Sequence, residues 1–178
     1  SMMLFFTFIS QGVGRAVSSI AANAVGARDY LTVRRIALSA VTLNALFFIV
    51  NGLFFLAFPE KFAELFLPAK VATESRSLII SMVVQACLWL WIATFIDALR
   101  WIAMGMLTAV GDTLFMMWTG STTVWILCIL PTYYFVTHWG VPVTYSWVFS
   151  GGYYLFVTAL YTWRYRQEKW KARLLIES

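Results

Sequence analysis

Five long apolar segments dominate the chain and constrain its fold more than any other feature of the sequence. They lie at about 3–25, 36–58, 77–107, 114–136 and 143–163. As helices, each could cross a hydrocarbon layer of about 30 Å at about 1.5 Å per residue. Because backbone polar groups find no water inside a bilayer, we expect an all-α integral membrane bundle of about five transmembrane helices.

The composition excludes a soluble domain. Hydrophobic residues make up 61% of the chain and charged residues 12%, and the mean hydropathy is +0.78. A soluble domain carries about 25% charged residues. The net charge of +5 is spread between the apolar segments and concentrated in the tail, 164–178. This pattern indicates orientation in a lipid bilayer and not a nucleic-acid partner.

The positive charges of the loops predict which side each loop faces. Counting alternate loops together, one side holds eight arginines and lysines and the other side three. The richer side should be cytoplasmic, so the basic tail 164–178 is expected inside, in a bacterial inner membrane. Five crossings that end inside begin outside, and an odd number of further spans upstream is the simplest expectation.

No enzyme site is expected. The sequence has no zinc-protease motif, phosphate-binding loop or dinucleotide fingerprint. Its single histidine, His138, has no nucleophile that could work with it. We therefore predict no catalytic residue, no metal site and no cofactor.

Three stretches resemble the multidrug and toxic compound extrusion (MATE) family, in the order that the family has them. They are the small-residue helix 12–28, the Asp-Ala-Leu-Arg sequence 97–100 with the Gly-Asp-Thr turn 111–113, and the apolar span that runs into the basic tail. Asp97 and the tail resemble the family's C-terminal half. The sequence departs from the family pattern at Asn23, where Gln is usual, and at Thr108, where Arg is frequent.

The resemblance implies the C-terminal lobe, 1–178, of a two-lobed inverted-V transporter. Such a protein exports organic cations in exchange for H⁺ or Na⁺, and its partners are the lipid bilayer, the small organic cations and the missing N-terminal lobe. This chain alone should not transport. Two alternatives remain: a related lipid-linked saccharide flippase, or a membrane scaffold or assembly partner without transport.

Asp97 is the candidate cation-coupling residue. It lies inside an apolar segment, and an ionisable group at such depth is costly and is usually paired or functional. The resemblance also implies that Asp97 helps to bind the coupling cation. The alternative is an ion pair with Arg100, three residues further along the same helix. Arg15, in the first span, could pair with Asp97 across helices or extend toward the interface.

Two further sets of residues are candidates for substrate contact and for packing. Trp89, Trp91 and Phe95 precede Asp97 and could attract organic cations by cation–π contact, or could face lipid. Small residues recur at every fourth position of the first span, which predicts close helix packing or a sliding surface. They are Gly14, Ser18, Ala22 and Gly26.

Two local features complete the predictions. Asp112 or Thr113 should cap the fourth helix through its side chain, since both follow a glycine at the turn. Pro131 should kink or shorten that helix, because proline lacks the N–H group of the helical hydrogen bond.

Overall fold

A computed structural model describes residues 2–57, 73–142, 145–168 and 170. Within these ranges the chain forms five helices, α1 (Met2–Gly26), α2 (Tyr30–Ala57), α3 (Thr73–Ala109), α4 (Thr113–His138) and α5 (Ser146–Arg166), and no strand. The predicted all-helical bundle is confirmed. Most of the loop expected between the second and third spans, and the end of the tail, lie outside the described residues.

Within the described residues, three helices are long and apolar enough to cross a membrane. The qualifying stretches are Tyr30–Leu53, Trp91–Ala109 and Thr113–His138. The helices α1 and α5 contain 25 and 21 residues, and neither has such a stretch among the described residues. Large apolar side chains cover the outer surfaces of α2 and α4, among them Leu38, Leu46, Leu53, Trp118, Ile126 and Leu130. Lipid is the solvent that suits such surfaces.

Helix α3 is the centre of the bundle, because it packs against all four other helices and most extensively against α1. One buried cluster joins α1 and α2 to one side of α3 and includes Val17, Ala21, Val33, Ile102 and Met106. A second cluster joins α4 and α5 to the other side and includes Leu107, Met116, Val157 and Tyr161. Helix α3 therefore lies between two packed layers of helices.

Pro131 modifies α4 without ending it. A single π-helical turn, Trp125–Ile129, ends two residues before the proline, and the helix then continues to His138. The proline ring would clash with the carbonyl four residues earlier in a regular α-helix, and the wider turn relieves that clash. The predicted disturbance of the helix is thus a π-turn.

The connections from α1 to α2 and from α3 to α4 have the same backbone design. Arg28 and Gly111 adopt left-handed conformations, with φ of 57° and 76°. The next residue donates its N–H back into the helix that ends, from Asp29 to the Ala24 carbonyl at 2.9 Å and from Asp112 to the Leu107 carbonyl at 3.0 Å. This is the Schellman pattern of helix termination.

The two aspartates of these turns have different roles. Both carboxylate oxygens of Asp29 accept hydrogen bonds from Thr32, one from the backbone N–H at 3.0 Å and one from the hydroxyl. Asp29 is therefore the N-cap of α2. Asp112 occupies the N-cap position of α4 but makes no capping hydrogen bond through its side chain, so the predicted Asp112 cap is wrong. Its carboxylate instead forms an ion pair with Arg164.

We predict that Asp29→Ala increases hydrogen exchange at the Thr32 and Val33 amides, because the first turn of α2 loses its cap. The side-chain hydrogen bond from Thr32, followed by the backbone one, lowers the pKa of Asp29 below its usual 3.8. The contribution of the cap should therefore be complete above about pH 4 and fall as the pH drops through the lowered pKa. Asp29→Asn, which keeps an acceptor but does not titrate, should show protection without this pH dependence. Unchanged exchange in Asp29→Ala would contradict the capping role.

Candidate ion site at Asp97

Asp97 is a buried carboxylate with both oxygens occupied. Its residue is 5% exposed. One oxygen, Oδ1, accepts from Arg100 Nε at 2.8 Å and lies 2.6 Å from Arg100 Nη2, while Oδ2 accepts from Trp101 Nε1 at 3.1 Å. The i,i+3 ion pair with Arg100, which the sequence analysis gave as the alternative, is present. Asp97, Arg100 and Trp101 are called the Asp97 cluster below.

Arg100 joins this cluster to α5. The side chain of Arg100 is 16% exposed, and its Cζ lies 5.0 Å from the ring centroid of Trp101 and 5.5 Å from that of Tyr154 on α5. Both distances are within the range of a cation–π contact. The guanidinium group thus has a carboxylate on one side and aromatic rings on two others.

Arg15 is not part of the cluster. It is exposed on α1, and within the described part of the chain it forms no ion pair with Asp97. The interhelical pair considered from the sequence is therefore absent from this conformation. Its exposure agrees with the alternative, a side chain that extends away from the bundle.

Two of the three candidate aromatic residues line a small cleft between α1, α2 and α3. The cleft has a cavity volume of about 10 Å³, and its walls include Ser10, Asn44, Phe48, Asn51, Trp91 and Phe95. This is about the space that one water molecule needs, so a drug-sized ligand, which needs a pocket of about 300–1,000 Å³, does not fit in this conformation. Trp89 is 60% exposed, and Asp97 does not line the cleft.

Trp91 is held in place by α2. Its Nε1 donates to the Phe48 carbonyl at 3.0 Å, and its ring stacks on the Phe48 ring at 4.1 Å. A Cβ on Gly52 would lie 2.2 Å from the Trp91 ring, so only glycine leaves room for it there. These contacts assign Trp91 to helix packing in this conformation.

Helix α1 packs closely against α3 at Trp101, a member of the Asp97 cluster. A Cβ on Gly14 would lie 2.9 Å from the Trp101 carbonyl oxygen, and one on Gly105 would lie 2.4 Å from the Gly14 carbonyl oxygen. Ala22 and Gly26 are exposed. The face of α1 that contacts α3 therefore differs from the predicted row of small residues at every fourth position. It includes Gly14 and half-buried Ser18, and it continues through buried Val17, Ala21 and Val25.

Sequence reasoning did not predict three contacts that join parts of the chain far apart in sequence. These are the Asp112–Arg164 ion pair, the approach of Tyr154 to Arg100, and the packing of Trp170. Trp170, in the basic tail, is buried against Tyr30 and Tyr165. A tryptophan among basic residues was the signal in the sequence that could have indicated this contact.

The fold and the cluster define a helical, membrane-embedded protein with a buried acidic residue inside its central helix. Residues 1–134 of the 178 match the MatE family of transporters, and the chain therefore belongs to this family. No curated protein and no solved structure matches the chain.

Proposed function

We propose that this chain is the C-terminal lobe of a transporter that exports organic cations in exchange for H⁺ or Na⁺, and that Asp97 binds the coupling cation. The observation that carries the proposal is the burial of Asp97 inside the central helix of a MatE-family bundle. A carboxylate at such depth is retained at a cost and is commonly part of an ion pathway.

Transport on this proposal requires the N-terminal lobe as partner. Two lobes related by an axis along the membrane normal can rock against each other around a central cleft. The small size of the cleft beside Trp91 supports a substrate site between the lobes. The positive charges of the loops support a basic tail on the cytoplasmic side of a bacterial inner membrane.

Asp97→Asn tests the function in the full-length transporter reconstituted into proteoliposomes. The change preserves size and hydrogen-bonding capacity but removes the negative charge. We expect transport of tetraphenylphosphonium driven by a Na⁺ or proton gradient to fall at least tenfold, while the variant remains folded. The matched control is Asp29→Asn, which neutralises an exposed carboxylate and should transport normally.

A structural role for Asp97 would give a different pattern. Removing one partner leaves the Arg100 charge buried without its carboxylate and destabilises the fold. The double variant Asp97→Asn/Arg100→Gln would then recover both stability and coupled export. If the double variant is stable but still uncoupled, Asp97 has a role beyond pairing. Normal coupled export by Asp97→Asn would refute the proposal.

The flippase alternative rests on Arg15. This arginine is exposed within a helix of the bundle, and a guanidinium group is well suited to bind the phosphates of a lipid-linked saccharide. Loss of lipid-linked saccharide translocation in Arg15→Gln, with organic-cation export absent from the unmodified transporter, would favour this alternative.

A further inference from the structure

We propose that Arg100 is a tethered competitor for the cation site: its guanidinium occupies Asp97 in the absence of a transported cation and must leave before that cation binds. This inference rests on the proposed function, since it assumes that Asp97 is the site where the cation binds. It assigns to Arg100 the role of setting cation affinity.

The first support is the occupancy of Asp97. Arg100 contacts Oδ1 through two nitrogens, at 2.8 and 2.6 Å, and Trp101 occupies Oδ2. A monovalent cation cannot reach the Oδ1 position unless the guanidinium moves away. When an acceptor is free only part of the time, the apparent Kd of its ligand rises in inverse proportion to the free fraction.

The second support is a place for the displaced guanidinium. The rings of Trp101 and Tyr154 already lie 5.0 and 5.5 Å from Cζ of Arg100. An arginine side chain released from the carboxylate can remain against these rings, and the cation–π attraction then strengthens because the carboxylate no longer neutralises the guanidinium charge. Because Tyr154 belongs to α5 and Asp97 to α3, the exchange would also alter a contact between these two helices.

The electrostatic balance favours exchange over simple addition. A buried carboxylate paired with a guanidinium is neutral as a unit, and breaking the pair without replacement leaves two uncompensated charges in a medium of low dielectric. An incoming cation replaces the lost charge on Asp97, so only the arginine needs a new environment. Cation binding and arginine release are therefore coupled, and each must oppose the other to the same extent.

Two substitutions in the full-length transporter should shift cation affinity in opposite directions. Arg100→Gln removes the competitor, and we expect the concentrations of Na⁺ or tetraphenylphosphonium that give half-maximal thermal stabilisation to fall at least tenfold. Tyr154→Leu removes a place for the displaced guanidinium, and we expect them to rise about two- to fivefold, as a cation–π contact of about 0.5–1 kcal/mol implies. Na⁺ is varied against choline at constant ionic strength. Arg166→Gln, which removes an exposed arginine from the end of α5, is the control and should change neither.

The outcomes separate this inference from the proposed function. If Asp97→Asn abolishes coupled export but neither Arg100→Gln nor Tyr154→Leu shifts the midpoint, Arg100 is not a competitor and only the inference fails. If Asp97→Asn exports normally, the proposed function fails first. An unmodified transporter that neither cation stabilises would also overturn the inference. Should Arg100→Gln not fold, Arg100→Lys keeps a charge without the planar fork, and a smaller fall is expected.

Discussion

Gly105→Ala is expected to destabilise the bundle by about 1–3 kcal/mol or more, because it forces α1 away from α3. The new Cβ would lie 2.4 Å from the Gly14 carbonyl oxygen and 3.3 Å from the Ser18 amide nitrogen. These are backbone atoms, and no side-chain rotation can relieve the contact. Helices in lipid associate largely through such close packing, since apolar burial gives them little reason to separate from lipid.

The matched control is Gly12→Ala, on the exposed side of α1. Among the described residues, no atom beyond the adjoining part of α1 lies within 4 Å of a Cβ built at Gly12, and alanine in a helix is about 0.5–1 kcal/mol more favourable than glycine. We therefore expect Gly12→Ala to unfold at the same or a slightly higher temperature than the unmodified protein in detergent or nanodiscs. Equal stability of Gly105→Ala and Gly12→Ala would show that α1 and α3 are not in close contact.

The second large effect is expected at the Asp112–Arg164 ion pair. Arg164 Nε lies 2.6 Å from Asp112 Oδ2 and Nη2 lies 3.4 Å from Oδ1, with the side chains 17% and 10% exposed. The guanidinium also lies over the Phe115 ring, with Cζ at 4.8 Å from its centroid. The pair thus joins the α3–α4 turn to the last turn of α5.

We expect Asp112→Asn to cost about 3 kcal/mol, the lower end of the range for a broken buried pair because both side chains retain some exposure. Arg166→Gln, which removes an exposed charge from the same turn of α5, should change stability by about 0.5 kcal/mol at most. Chemical unfolding in micelles compares the two variants. The double change Asp112→Asn/Arg164→Gln should recover most of the loss. If Asp112→Asn is as stable as Arg166→Gln, the pair does not hold the turn.

Residue type and local spacing predicted the helical class and the membrane solvent, and they gave the Asp97–Arg100 pair as an alternative. Each of these depends on a run of apolar residues or on positions three residues apart along one helix. The same reasoning failed at Asp112. Asp112 and Asp29 both follow a left-handed turn residue, yet Asp112 pairs with Arg164 and Asp29 caps α2. The partner at 164 is far away in sequence, so no local pattern could reveal it.

The sequence by itself therefore determined that this protein is a bundle of apolar helices with an acidic residue buried in its third helix. Periodicity and hydropathy are properties of consecutive residues, and a helix needs no distant partner to satisfy its backbone. Only the tertiary structure decided which face of α1 meets α3, where Gly14 and Gly105 let the backbones approach. It also placed Tyr154 beside Arg100, because the rotation of each helix about its axis is set by the shapes it packs against.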